Sequence, residues 1–393
     1  MPRSPPGADP RALPAPSADA RAHGDRVMEH IAQQIAAAGG WISFADYMAA
    51  ALYAPGLGYY AAGMRKFGGD GDFVTAPEMS ALFGRALAAQ LAEILTQATG
   101  DIIELGPGTG RLAVDILGAL AIRNALPQRY RLLEVSPELR ERQRQLLQQR
   151  LPELLPRVEW IDVLPQRWKG VIVANEVLDA VPPHLVVRAS DRWFERGVGW
   201  VSGTLALVDR PLPEGALRDS AGERFPSLGD YASEINPAAQ ALVASLAQRC
   251  DAGVLLLLDY GFPAAEYYHP QRNSGTLMAH YRHRALSDPL FLPGLADLTA
   301  HVDFTAIASA GVAAGMRVAG FTTQARFLVN CGLLDLLAQG GDPGSAAYLR
   351  EANAAQKLLS PAEMGELFKV LALTRGVDAP LLGFRDGDQT HRL

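Results

Sequence analysis

The sequence predicts an α/β protein built on a parallel sheet covered by helices, and three observations carry that prediction. An apolar run at 101–105 leads directly into Glu104-Leu105-Gly106-Pro107-Gly108-Thr109-Gly110, and helical spacing begins at once at Arg111. From there short apolar runs alternate with helical patterns, the rhythm of strands joined by crossover helices. Two stretches, 181–235 and 263–300, break that rhythm and read as insertions.

Taken in order, residues 1–23 are rich in Pro and Ala with scattered charge and read as a disordered tail. Residues 24–98 form a helical cap with a glycine-rich lid. Val27, Ile31 and Ile35 give 24–38 one apolar face, and Gly39-Gly40 ends it. Ser43 with Asp46 reads as an N-cap ahead of a helix at 44–52. Gly68 to Gly71 can flex as a lid or form a plain surface turn, and 77–95 again has helical spacing. The first half of the core, 99–180, holds strands at 101–105, 130–135, 158–163 and 171–174, the last ending at Asn175. The insertion 181–235 alternates like antiparallel strands at 185–188, 192–201 and 204–208. The core resumes at 236–262 with a helix and a fifth strand at 254–260. The insertion 263–300 is polar and aromatic without a period. Residues 301–393 supply the second half of the core: a helix at 304–314 and strands at 317–324 and 368–374.

Composition narrows the function. A net charge of −6 from 36 basic and 42 acidic residues argues against a nucleic-acid partner, which calls for a basic face. The arginines between 140 and 150 read as the solvated face of a helix. The two cysteines, Cys250 and Cys331, offer neither a disulfide framework nor metal spacing, and His280 with His283 lack a third ligand, so no metal is expected. No run approaches the roughly 18 apolar residues of a membrane span. A reducing compartment follows, read as cytoplasm, with the mitochondrial matrix as the second reading because Asp9 and Asp19 interrupt the arginines of the N-terminus.

The glycine motif points to a nucleotide cofactor, since glycines admit close backbone approach and a helix start offers unpaired N–H groups. A dinucleotide fingerprint would need its third glycine at 111, where Arg111 stands. Glu104 two residues before Gly106, with Gly108 and Gly110, suits S-adenosylmethionine, whose ammonium a carboxylate can meet. A ligand-free turn has the same local pattern. Glu134 ends the second strand 24 residues past Gly110, close to the spacing of about 20 expected for an acid on ribose hydroxyls. Asp162, ending the third strand, can accept from an adenine amino group or cap a turn. Asn175 closes the fourth strand near the expected reaction centre. Glu176 and Asp179 follow three apart, so both can face the cleft if the segment turns helically, or they merely complement a helix dipole. Glu78 and Asp72 are further acidic candidates.

Five segments together resemble a known family. They are Phe67-Gly68-Gly69-Asp70-Gly71-Asp72-Phe73-Val74-Thr75-Ala76-Pro77-Glu78-Met79-Ser80, the motif from Glu104 to Gly110, Glu134-Val135-Ser136-Pro137, Ala174-Asn175-Glu176-Val177-Leu178-Asp179-Ala180-Val181-Pro182, and Asp297-Leu298-Thr299-Ala300-His301-Val302-Asp303-Phe304. The chain resembles the MidA-like S-adenosylmethionine-dependent methyltransferases, relatives of the mitochondrial complex I assembly arginine methyltransferase. Ala76 and His301 depart from the residues usual there, Ser and Asp. The resemblance implies a seven-stranded class I methyltransferase sheet, Rossmann-like, with its last strand antiparallel, an N-terminal cap and insertions that shape the substrate site. It also implies methylation of a protein arginine. A small-molecule N- or O-methyltransferase and a non-catalytic assembly factor that binds the cofactor are the alternatives. The cofactor contacts expected on these grounds are Thr75, Glu104, Gly106, Pro107, Gly108, Thr109, Gly110, Glu134, Val135, Asp162 and Asn175. The expected catalytic carboxylates are Glu176, Asp179 and Glu78.

Overall fold

Runs of Val, Ile and Leu too short for helices become the strands of one large sheet. They are β1 (Asp101–Leu105), β2 (Tyr130–Leu133), β3 (Val158–Ile161), β4 (Trp168–Asn175), β5 (Cys250–Phe262), β6 (Arg317–Thr323) and β7 (Phe368–Arg375). Their order across the sheet is β6-β7-β5-β4-β1-β2-β3. The neighbours from β3 through β5 run parallel, and β7 is antiparallel to both β5 and β6, as the resemblance implied. A two-residue strand, Val302–Asp303, adds to β5 as an eighth member. Val254 to Leu258 in β5 is buried throughout, which is why the run shows no alternation. The chain builds outward from β1 through β2 to β3, then returns to lay β4 on the other side of β1. That reversal opens a crevice beyond the carboxyl ends of β1 and β4, the usual ligand position in such sheets.

The structure, a computed structural model, describes residues 13–61, 75–227 and 229–393. The glycine-rich stretch expected as a lid, Gly68 to Gly71, and the candidate Asp72 lie outside the described residues. Two compact units divide the chain: 1–74, 179–239 and 264–301 form one, and 75–178, 240–263 and 302–393 form the other, which carries the large sheet.

The helix Ala81–Gln97, expected in the cap, belongs to the sheet unit. Gly84 explains its position. A Cβ there would lie 2.6 Å from Cβ of Asp115 on the helix Arg111–Ile122, so the two helices close on each other at that point. In the other unit, the first helix spans Ala18–Ala37 and is capped by Ser17, whose hydroxyl accepts from Ala20 N at 3.2 Å. It starts ahead of the expected 24 because its first turns hold good helix formers but no apolar face. Ser43 caps the helix Phe44–Tyr53 through Asp46 N at 3.0 Å. His184–Ala189, Arg192–Val201 and Thr204–Pro211 pair antiparallel, and Trp41–Ser43 and Tyr231–Ile235 complete that sheet. The stretch without period at 263–300 holds a second small sheet of Arg284–Leu286, Met278–Tyr281 and Asp297–Thr299, strands too short to show alternation. Among the described residues no helix is long and apolar enough to cross a membrane.

Candidate cofactor and acceptor site

The turn after β1 needs its glycines. Gly106, Gly108 and Gly110 hold φ of 61°, 52° and 84°, all in the left-handed region where a Cβ is penalised. A Cβ on Gly106 would stand 3.1 Å from Val177 Cγ2, and one on Gly110 would stand 3.0 Å from Gln143 Cγ. Gly110 is the N-cap of the helix Arg111–Ile122, and no side chain occupies its cap. Beyond the Arg111 N–H, which meets the Thr109 hydroxyl, the first turn of that helix offers N–H groups to a ligand. Pro107 is buried within the turn. Thr109 donates its hydroxyl to the Glu78 carboxylate and accepts from Arg111 N at 3.3 Å. Glu78 therefore braces the turn from the short helix Ala76–Met79, whose N-cap is Thr75.

Two buried carboxylates mark the ends of β1 and β2. Glu104 is 2% exposed and accepts from the Tyr130 hydroxyl at 2.7 Å. Burial pushes its pKa up to about 8, with the Tyr130 bond pulling the other way. Glu134 accepts from Ser136 N at 2.8 Å and from Gln143 Nε2 at 3.3 Å. Burial raises its pKa too, opposed by those bonds and by Arg140. Val135 beside it is 73% exposed, an apolar side chain open at the crevice edge.

Asp162 sits at the end of β3 with its side chain 75% exposed and pairs with Arg140. Arg140 also donates from Nε to Glu134 O at 2.6 Å, so it ties two strand ends together rather than lying on a solvated face. Arg142 and Arg144 do make exposed pairs, with Glu138 and Glu141.

Sequence reasoning missed Gln143. It is fully buried on the helix Pro137–Arg150, and its amide meets three elements. Nε2 donates to Gly108 O at 2.8 Å as well as to Glu134, and Oε1 accepts from Trp160 Nε1 at 2.8 Å. Its partners are 17 or more residues away except Glu134, so no local spacing announces it.

After β4 the chain does not turn helically. Glu176 takes φ of 52°, and no helix follows. The expected helical face shared by Glu176 and Asp179 is absent, and so is a helix dipole for them to complement. The backbone follows another course because the Glu176 N–H still bonds Leu258 O at 2.9 Å while Asp259 Oδ2 takes the next two donors, Val177 N at 3.1 Å and Leu178 N at 2.9 Å. Asn175 donates Nδ2 to Glu176 Oε1 at 3.1 Å, and its own Oδ1 is buried with no protein partner among the described residues. Asp179 falls in the other unit, where it is buried and its charge, after burial itself and Asp297, contributes to raising the pKa of Tyr53. His280, weighed as a metal ligand, is paired with Thr299 Oγ1 at 3.2 Å, and burial lowers its pKa.

The left-handed glycine turn, the open helix start, the strand-end acids and the buried Asn175 oxygen fit a polar nucleoside with a cationic tail. The family described as "Putative S-adenosyl-L-methionine-dependent methyltransferase" matches residues 82–322, more than half of the chain. The chain belongs to this methyltransferase family. Its cofactor is S-adenosylmethionine, and the protein is a methyltransferase of the α/β class. A Burkholderia thailandensis protein crystallised with S-adenosyl-homocysteine is 47% identical, with a TM-score of 0.94 over 97% of this chain and 100% of that one. Among curated relatives, the protein arginine methyltransferase NDUFAF7, mitochondrial, of Danio rerio is 31% identical over 88% of this chain and 86% of its own length. The Homo sapiens protein of that name is 30% identical over 88% and 83%. These methyltransferase relatives carry mitochondrial names, which overturns the cytoplasmic reading. That reading rested on the two cysteines, which a mitochondrial interior also permits, and on Asp9 and Asp19 among the N-terminal arginines.

Proposed function

We propose that this methyltransferase modifies the guanidinium of an arginine in a protein. What carries the reading is the likeness, across nearly nine-tenths of the chain, to relatives named protein arginine methyltransferase. When bound, S-adenosylmethionine supplies an electrophilic methyl on a sulfonium sulfur. The backbone of Gly106 to Gly110 would hold its amino-acid part, Glu104 would receive the ammonium, and Glu134 would accept from the ribose hydroxyls. Val135 would cover the adenine, Asp162 would meet its amino edge, and the buried Asn175 oxygen would be a further acceptor for the cofactor. Thr75, with Pro107 and Thr109, shapes the turn's surroundings.

On the acceptor side the problem is charge. A guanidinium has a pKa of roughly 12.5–13.8 and attacks poorly while protonated. Glu176 takes two of its N–H groups in a forked pair, which directs the third nitrogen to the methyl and gives the released proton a destination. Glu78 acts one step back, through Thr109. Labelled S-adenosylmethionine, the pure protein and a cell lysate test the reading. Methylarginine in acid hydrolysates of the protein fraction is the expected product. Label confined to small molecules, or to another amino acid, would overturn it.

A further inference from the structure

We propose that Asp259 is a positioning residue that holds Glu176 in its working conformation; this rests on the acceptor role given to Glu176 above. The β4–β5 ladder ends at the pair Asn175 with Leu258. One residue on, the chain leaves the sheet at Glu176 with φ of 52°. Glutamate rarely adopts that conformation unless its surroundings enforce it.

Three contacts enforce it. The Asp259 carboxylate, 1% exposed, takes the backbone N–H of both Val177 and Leu178 on Oδ2. Its Oδ1 accepts from its own neighbour Tyr260 N at 2.9 Å, which fixes the rotamer. On the far side Val177 meets the cofactor turn at Gly106, where a Cβ would leave only 3.1 Å. Residues 176–178 are thus wedged between β5 and the glycine turn. The bend fixes where the Glu176 side chain leaves the backbone, and Asn175 Nδ2 steers its carboxylate at 3.1 Å. Hydrogen bonds from two amides to one carboxylate are charge-assisted and directional, suited to fixing a bend rather than to meeting substrate.

The test is a double-mutant cycle of Asp259→Asn and Glu176→Gln. Methyl transfer to lysate protein is read at saturating S-adenosylmethionine, with S-adenosylhomocysteine affinity and thermal midpoint measured on each variant. Asp259→Asn is expected to lower the transfer rate on the order of 10- to 100-fold, the scale of a misplacement near 1 Å. It should leave S-adenosylhomocysteine affinity within about twofold and add almost nothing when Glu176 is already Gln. Effects that multiply, or a lowered midpoint with an unchanged transfer rate, overturn the proposal. A Glu176→Gln protein with normal turnover instead removes Glu176 from the reaction, and the positioning role falls with it. Should Asp259→Asn fail to fold, Asp259→Glu, which keeps the charge but moves it by one methylene, is read in the same assays with the same criteria.

Discussion

Gln143→Leu should separate the cofactor turn from the helix that supports it. Leucine is close to glutamine in volume, so the change opens little cavity and the loss is electrostatic. Three hydrogen bonds go: to Gly108 O at 2.8 Å, to Glu134 Oε2 at 3.3 Å, and from Trp160 Nε1 at 2.8 Å. A polar group left unsatisfied in a buried site costs about 1–3 kcal/mol. Gly108 and Trp160 are only half-buried and can recover part of that from water, and Glu134 keeps its bond to Ser136 N at 2.8 Å. About 1.5–3 kcal/mol remains, most of it at Gly108 on the proposed binding turn and at Glu134, the proposed ribose acid. At about 1.4 kcal/mol per factor of ten, S-adenosylhomocysteine should bind roughly 10- to 100-fold more weakly. Isothermal titration at fixed pH and salt measures this. A variant that binds as tightly as the parent refutes the argument that Gln143 holds the turn. Gln143→Glu is the control: it can still accept from Trp160 but cannot donate to Gly108 O, and it sets a second carboxylate beside Glu134. It should bind no better than the leucine variant.

Glu104 has its folded pKa raised from 4.5 to about 8, so the stability it contributes is present in full below the unfolded value and is lost as pH rises toward about 8. Thermal midpoints between about pH 5 and pH 8 should therefore fall more in the parent than in Glu104→Gln, and equal slopes would show that the carboxyl ionises normally. Gly110→Ala forces a Cβ into φ of 84° and to 3.0 Å from Gln143 Cγ. A loss of about 1–2 kcal/mol in chemical denaturation is expected, with weakened S-adenosylhomocysteine binding, and an unaltered protein would mean that the turn relaxes freely. Cys250 and Cys331 are buried, and burial pushes the Cys250 thiol up to about 12 and Cys331 higher still. A thiol reagent at neutral pH should label neither until denaturant is added, and rapid labelling of the native protein would contradict the packing around them.

What the sequence reveals and what it hides divide along the range of the interactions. The turn after β1 is legible because the features that mark it are contiguous: an apolar strand, three left-handed glycines and a helix start. Glu134 is legible for the same reason, as an acid closing a strand. Arg140 and Gln143 are not, because their helix is so polar that every position reads as solvated, and their partners stand at 108, 134, 160 and 162. The bend at Glu176 is hidden more deeply. The local pattern in Asn175-Glu176-Val177-Leu178 does not announce the bend, which is set by Leu258 O and by Asp259, 81 residues beyond Leu178.

The three buried acids Glu104, Glu134 and Asp259 also differ in a way that bears on their roles. Glu134 and Asp259 each accept main-chain N–H bonds. The described residues give Glu104 one side-chain partner, the Tyr130 hydroxyl, and its pKa rises to about 8 accordingly. Of the strand-end pair Glu104 and Glu134, Glu104 is the one with most to gain from an arriving cation. An ammonium close by would restore its ionised form, and the proton it sheds would leave with binding. Calorimetric enthalpies of S-adenosylhomocysteine binding near neutral pH should then vary with the ionisation enthalpy of the buffer. Replacing Glu104 with Gln should abolish that variation. A parent protein whose binding enthalpy is the same in every buffer would place the ammonium somewhere other than at Glu104.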